Sequence, residues 1–125
     1  MSDLTTPKLR VLVVDDEVKY LRLAKINLSA RGFEVEVTEA GEEAMRKIND
    51  NQPHIVLLDV MMPRLTGDEL VKMITDWKPE IRVIMVTANI SQEAEEECRR
   101  NGAYAYIKKP VDFDKLAEII RQAAS

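Results

Sequence analysis

Val11-Leu12-Val13-Val14-Asp15-Asp16-Glu17 and Ile55-Val56-Leu57-Leu58-Asp59 decide how the rest of the chain is read. Each is a short, unbroken apolar run that ends abruptly in acid. A strand with one wet face alternates apolar and polar residues, whereas a strand covered on both faces is apolar throughout. Working outward, similar runs occupy Leu9–Val14, Phe33–Thr38, His54–Leu58, Ile81–Val86 and Ala103–Ile107. The spacers carry helical patterns near 18–30, 41–50, 67–77, 91–100 and 112–123. Gly32, Pro53 and Gly102 punctuate the boundaries, as helix ends and strand starts require. Strands alternating with helices predict an α/β domain with a doubly wound parallel sheet.

The bulk properties agree and narrow the function. The 125 residues suit one domain with a full core, and 46% hydrophobic against 32% charged residues is a globular balance. A net charge of -4 argues against direct binding to nucleic acid or to an anionic membrane. No apolar run is long enough to span a bilayer, and the polar start at residues 1–8 reads as a flexible tail rather than a signal peptide. Cys98 is the only cysteine, so no internal disulfide framework exists and a cytoplasmic setting is expected.

Residues at the strand ends carry the chemistry. In an open parallel sheet, ligands bind beyond the carboxyl ends of the strands, where strand order reverses. The first run ends in Asp15-Asp16-Glu17, the third in Asp59, the fourth in Thr87-Ala88 and the fifth in Lys108-Lys109-Pro110. Carboxylates gathered so closely repel one another, and a hard divalent cation such as Mg²⁺ relieves the repulsion. Lys109 adds a fixed positive charge and Thr87 a hydroxyl. Together they suit the equatorial oxygens of a transferring phosphoryl group. With no Ser–His or Cys–His pair evident, a carboxylate is the expected nucleophile. Asp59, single and central, fits that role, while Asp15 and Asp16 look like a metal-binding pair. An Asp at a strand end is often only a helix cap, so the specificity lies in the ordered set.

The stretches Val11–Glu17, Ile55–Pro63 with Gly67 following, Val83–Ala88 and Gly102–Pro110 resemble the receiver domain of two-component response regulators, over essentially the whole chain. The resemblance implies a flavodoxin-like, five-stranded sheet of order 2-1-3-4-5 with five helices. It implies a signalling switch, not a substrate-turnover enzyme, in which Asp59 accepts a phosphoryl group from a histidine kinase or histidine phosphotransfer protein. It further implies Mg²⁺ held directly by Asp16 and Asp59, by Asp15 through water, and by the Met61 carbonyl. Thr87 and Lys109 would bind the phosphoryl group, and Tyr106 matches the family's aromatic switch. The face made by the fourth helix, fifth strand and fifth helix would then address an output domain or protein, with a phosphorylation-dependent homodimer as one outcome. Two positions depart from the common pattern: His54 stands where an acid is frequent, and Lys108 precedes Lys109. The chain is expected to act alone or as one domain of a longer regulator.

Other residues have plainer roles. His54 is read as a strand-edge residue, Cys98 as a packed small hydrophobe, Trp77 as packing at a helix end, and Glu93–Glu97 as a solvated helix face. Met61, where a haloacid dehalogenase-type phosphatase needs a second Asp, argues against that enzyme class. Scattered glycines argue against a nucleotide- or flavin-binding loop, and the complete key set argues against an interaction module that has lost phosphorylation. On the first helix, Leu21, Ala24 and Leu28 share the face expected to pack on the sheet. Tyr20, Leu23 and Asn27 share an adjacent face that is unusually poor in charge. With Pro110 they are expected to form the docking surface for the phosphodonor.

Overall fold

Each apolar run forms a strand and each spacer a helix. The computed structural model describes residues 7–61, 66–89 and 91–125. The order is β1 (Arg10–Val14), α1 (Val18–Ala30), β2 (Glu34–Thr38), α2 (Gly41–Asn51), β3 (Ile55–Leu58), α3 (Gly67–Trp77), β4 (Arg82–Thr87), α4 (Gln92–Arg100), β5 (Ala105–Lys108) and α5 (Phe113–Ala124). All strand pairs are parallel and the sheet order is β2-β1-β3-β4-β5, as expected. Among the described residues, no helix is long and apolar enough to cross a membrane.

The unbroken apolar strands divide their residues between two cores with a period of two. Val11, Val13, Ile55, Leu57, Ile84 and Val86 face α1 and α5, meeting Leu21, Ala24, Leu28, Leu116 and Ile120. Leu12, Val14, Val56, Leu58, Val83 and Met85 face α2, α3 and α4, meeting Ala44, Ile48, Leu70, Ile74 and Cys98. All four residues of β3 are buried, which explains why its sequence carries no polar interruption. β5 behaves differently. It is an edge strand whose Ala105, Tyr106 and Ile107 are only half-buried.

Boundaries shift by one or two residues from the sequence reading. Thr87 is the last residue of β4 rather than the first beyond it. β5 starts at Ala105, not Ala103, because the Ala103 N–H closes the end of α4 by donating to the Cys98 carbonyl. The Ser91 hydroxyl caps α4, and the Asp112 carboxylate accepts from the Asp114 and Lys115 N–H groups to cap α5. Gly32 and Gly102 follow α1 and α4 at φ +96° and +115°. Of the expected tail at 1–8, Pro7 and Lys8 are exposed and outside any element. Residues 1–6, and Met62 and Pro63 of the Ile55–Pro63 stretch, lie outside the described residues.

The plainer readings fare well. The His54 ring is exposed, and its Nδ1 accepts from the Arg10 N–H at 3.0 Å. Burial of the ring, then the Arg10 charge, push its pKa below the ordinary histidine value. Two of the glutamates in the acidic run pair with Arg99 and Arg100 on the solvated side of α4. Trp77 differs: it is largely exposed, with Lys78 Nζ 5.2 Å from its ring centroid. Cys98 is fully buried, and burial pushes its thiol up to about 11. At pH 8 the thiol is therefore protonated as well as covered. A disulfide reagent should modify Cys98 in the folded protein at least about tenfold more slowly than in denaturant, because a buried thiol with a raised pKa forms less thiolate; equal rates would contradict the burial.

Candidate functional site

Backbone pairing continues one residue past the strands and sets the site. The Asp15 N–H donates to the Thr38 carbonyl at 3.1 Å, Asp59 N–H to Val14 at 3.3 Å, and Lys109 N–H to Thr87 at 2.9 Å. Each functional residue is thus the first beyond a strand, pinned to the neighbouring strand. At a strand end the next side chain projects over the sheet edge, so Asp15, Asp59 and Lys109 meet there. A close approach by α3 adds to this. Gly67 N–H donates to the Val60 carbonyl at 3.1 Å, and a Cβ at Gly67 would lie only 2.7 Å from the Val60 Cα. Only glycine allows α3 to start against the backbone that carries Asp59.

Lys109 is the centre of the site. Its Nζ lies 2.6 Å from Asp15 Oδ2 and 3.1 Å from Asp59 Oδ2, with Glu17 Oε1 at 3.8 Å. The three paired side chains are mostly withdrawn from solvent: 15% of Lys109, 2% of Asp15 and 9% of Asp59 remain exposed. Asp15 Oδ1 also accepts from the Glu17 N–H at 2.9 Å, and Asp59 Oδ1 from the Met61 N–H at 2.9 Å. Burial tends to raise the Asp59 carboxyl. The Met61 N–H, the Thr87 hydroxyl and the Lys109 ammonium outweigh it and hold the group below the ordinary carboxylate value. Burial dominates at Asp15 and raises it, against the pull of Lys109. For Lys109, burial acts downward, but its bonds to Asp15 and Asp59 prevail and keep it an ammonium. Asp59 is therefore an ionised carboxylate near neutral pH, in contact with a fixed cation.

The remaining expected residues fall around this centre. Thr87 is fully buried at the end of β4, and its Oγ1 accepts from the Asn89 N–H at 3.2 Å. That bond uses only a lone pair and leaves the hydroxyl proton to act toward the Asp59 carboxylate. The half-buried Tyr106 donates its hydroxyl to the Asn89 carbonyl at 2.8 Å. Asn89, which the sequence reading passed over, therefore links Thr87 to Tyr106. An Asn two residues past a strand-end Thr is a turn signal that could have found it. Asp16 is exposed and stands apart from the Lys109 contacts, and the Met61 side chain is exposed too.

Tyr20, Leu23, Lys109, Pro110 and Phe113 line a groove of about 470 Å³ beside the site. Leu23 is 52% exposed, as the wheel predicts. Tyr20 lies further in. It is half-buried against the α1–α5 core, and its ring centroid is 4.2 Å from Lys109 Nζ. Asn27 is half-buried and engaged with Arg31, its side-chain amide donating to the Leu23 carbonyl. Pro110 is exposed and follows a cis bond.

Oxygen donors that could hold a divalent cation gather at this edge. Among the described residues, no three Asp, Glu, His or Cys side chains converge into a cage of their own. Mg²⁺ asks for less, because it keeps several waters and takes one or two carboxylates plus phosphate oxygens. Asp15 Oδ2 and Asp59 Oδ2 already converge on one cation, the Lys109 ammonium, and the exposed Asp16 adjoins them in sequence. The residues present fit the ion.

A family model for the response regulator receiver domain matches residues 11–121. The chain is 33% identical over 114 residues to the regulatory protein AtoC of Escherichia coli (strain K12), covering 91% of this chain and 25% of that protein. It is 32% identical over 113 residues to the polar-differentiation response regulator DivK of Brucella ovis, covering 89% of this chain and 92% of that protein. The chain thus spans about a quarter of the first curated relatives it matches, but nearly all of others. A CheY-like receiver domain protein from Methanospirillum hungatei JF-1 superposes with a TM-score of 0.90 at 33% identity, covering 94% of each chain.

Lys109→Met should reveal how the carboxylates depend on their cation. Removing one partner of a buried ion pair leaves the other charges uncompensated. Allowing for the residual exposure of Lys109, the loss should be about 1–3 kcal/mol at pH 7. The uncompensated carboxyls would have folded pKa values above their unfolded ones, so the deficit should shrink as pH falls into the carboxylate range. Denaturant melts of both proteins at pH 7 and pH 4.5 check this; a deficit that grows on acidification would refute it.

Proposed function

Since the chain belongs to the response regulator receiver domain family of two-component signalling, we propose that it is a phosphorylation switch whose acceptor is Asp59. The observation that carries this is the pinning of one ionised carboxylate, Asp59, against the Lys109 ammonium beside a buried hydroxyl. In the reaction an Asp59 carboxylate oxygen attacks phosphorus and forms an acyl phosphate. The bond from phosphorus to the donor breaks, and its electron pair leaves with a histidine imidazole or, for a small donor, with acetate. Lys109 binds a phosphoryl oxygen as negative charge redistributes. The Met61 N–H, already bonded to Asp59, steadies the carboxylate during attack. Asp16, Asp59 and the Met61 carbonyl would hold Mg²⁺, with Asp15 reaching it through water. Bound there, the ion neutralises charge on the phosphoryl oxygens and so lowers the barrier to attack by an anion.

Thr87 turns the modification into a signal. Its hydroxyl, which acts toward Asp59 in the unmodified protein, would turn its proton to a phosphoryl oxygen, and its movement would pull on Asn89, to which Tyr106 is also bonded. Tyr106 sits on β5, so the reshaped face is the one made by α4, β5 and α5. This supports an output domain or a second copy of the chain as the reader of that face. A histidine kinase or histidine phosphotransfer protein is the donor proposed.

With Mg²⁺ and acetyl phosphate, the protein should take up one phosphoryl group, and Asp59→Asn should take up none. Asp16→Ala should weaken Mg²⁺ binding at least about tenfold, as metal sites lose on removal of a supporting group. Intact-mass spectrometry and calorimetry check the two; equal labelling of Asp59→Asn would sink the acceptor assignment.

Docking is a separate matter from chemistry. Leu23 projects from α1 beside the groove next to Asp59. Leu23→Asp should slow transfer from the cognate phosphodonor protein about tenfold or more, the scale of a central apolar contact. Labelling by acetyl phosphate, which needs no docking surface, should stay within about twofold. If both donors are slowed equally in that variant, docking through this face is wrong.

A further inference from the structure

We infer that Tyr20 is a positioning residue for the transfer reaction, its ring face holding the Lys109 ammonium between the two carboxylates. The inference rests on the reading of Asp59 as phosphoacceptor. An ammonium has three N–H donors and a flexible four-carbon stem, so nothing in lysine itself fixes where the charge sits. Two directions are taken by Asp15 at 2.6 Å and Asp59 at 3.1 Å. Glu17 at 3.8 Å is too distant for a hydrogen bond. The Tyr20 ring, with its centroid at 4.2 Å, closes a further side. An aromatic face is electron-rich and attracts a cation within about 6 Å, most strongly where water is excluded. Here 15% of the Lys109 side chain remains exposed, so the contact is partly desolvated. Lys78 over Trp77 and Arg121 over Phe33 are wider, at 5.2 and 5.1 Å.

What Tyr20 contributes is its ring and not its hydroxyl. The hydroxyl oxygen is buried and finds no hydrogen-bond partner among the described residues. A buried hydroxyl left without a partner is a cost. Burial, then the charges of Asp15, Asp59 and Glu17, raise the phenol above its ordinary value, so it stays neutral and adds no charge to the site. A branched aliphatic residue would also fill this space against the core, but it would offer the ammonium no electron-rich face.

The ring matters most when the carboxylate contacts change. Once Asp59 bonds to phosphorus, one of the two anions that fix Lys109 is redirected. The ring is uncharged and belongs to α1, whose inward face is locked by Leu21, Ala24 and Leu28. It keeps the ammonium over the site while its other partners rearrange. This places Tyr20 in the chemistry even when no protein donor is present, which separates the role from docking.

The experiment measures labelling of the intact protein by acetyl phosphate with Mg²⁺, alongside the ¹⁵Nζ resonance of Lys109. Tyr20→Leu should slow labelling about 3- to 30-fold, the range of a partly desolvated cation–π contact, and should shift the Lys109 resonance. Tyr20→Phe keeps the ring and should restore both, with a melting temperature no lower than that of the parent. Progressively fluorinated phenylalanines at position 20 drain the ring face without altering its shape. Labelling should fall stepwise along that series even if the leucine variant folds poorly. Asp59→Asn is the control for the underlying reading: if it labels like the parent, the acceptor assignment fails. If Asp59→Asn is silent but the fluorinated series labels at one constant rate, the positioning role of Tyr20 is overturned and the acceptor stands.

Discussion

Two carboxylates and an ammonium held away from water form the interaction on which the site depends. Asp15 and Asp59 would repel each other if brought together alone. Lys109 makes their approach tolerable by lying within hydrogen-bond distance of both. A buried ion pair of this kind is weak evidence for stability, because desolvating the charges costs about as much as their attraction returns. Its value is functional. The pairing keeps Asp59 ionised, presses a cation against it, and fixes where a dianionic group would be received. One side chain at the end of the edge strand β5 thereby governs two carboxylates from the central strands β1 and β3.

The sheet makes this meeting possible. Parallel pairing aligns the carboxyl ends of β1, β3, β4 and β5 along one edge, and the ladder runs one residue beyond β1, β3 and β5. A side chain on a free loop would lose rotamer and backbone freedom on binding, and each ordered residue costs about 1–2 kcal/mol in backbone entropy. Here that cost is met during folding by the apolar faces of β3 and β4, which bury residues on both sides of the sheet. Gly67 shows the same logic from the other direction. Its missing side chain lets α3 begin against the Asp59–Val60 backbone, so Asp59 is supported from α3 as well as from its own strand.

Much of this was legible in the sequence because hydrophobic period and strand-end chemistry are local signals. The unbroken runs at Val11–Val14 and Ile55–Leu58 require two-sided cover, and that requirement alone implies helices on both faces. The strand ends then list Asp15, Asp59, Thr87 and Lys109 without reference to any long-range contact. What was not legible is long-range and geometric. No pattern states that Lys109 bonds to Asp15 as closely as to Asp59, since that depends on the path of the loop after β5. The helical wheel grouped Tyr20 with Leu23, but a wheel cannot show that the Lys109–Pro110 loop lies over one and leaves the other in solvent. Ala105, Tyr106 and Ile107 look as apolar as the residues of the central strands, yet in the edge strand β5 they are buried only in part. Asn89 carries a turn signal, but its link between Thr87 and Tyr106 runs through its backbone N–H and carbonyl, which no residue type announces.

The Asn89 link bears on how small a signal the switch needs. Shifting a two-state element from 1:99 to 99:1 takes about 5.5 kcal/mol. Hydrogen bonds to a charged group contribute roughly 1.5–3 kcal/mol each, so under the proposed switch a phosphoryl group that adds two or three such bonds beyond those Asp59 already makes would supply about the required amount. For that energy to reach the protein surface, Thr87 must not move alone. Its Oγ1 is bonded to the Asn89 N–H, and the carbonyl of the same residue holds the Tyr106 hydroxyl. A hydroxyl that turns toward the acceptor therefore strains the bond that fixes the loop holding Tyr106. Because Tyr106 is half-buried on an edge strand rather than locked in the core, it can change position at lower cost than the buried apolar residues of β3 or β4. The rigid strands hold the chemistry in place, while the loosely packed edge is the part of the sheet able to respond to it.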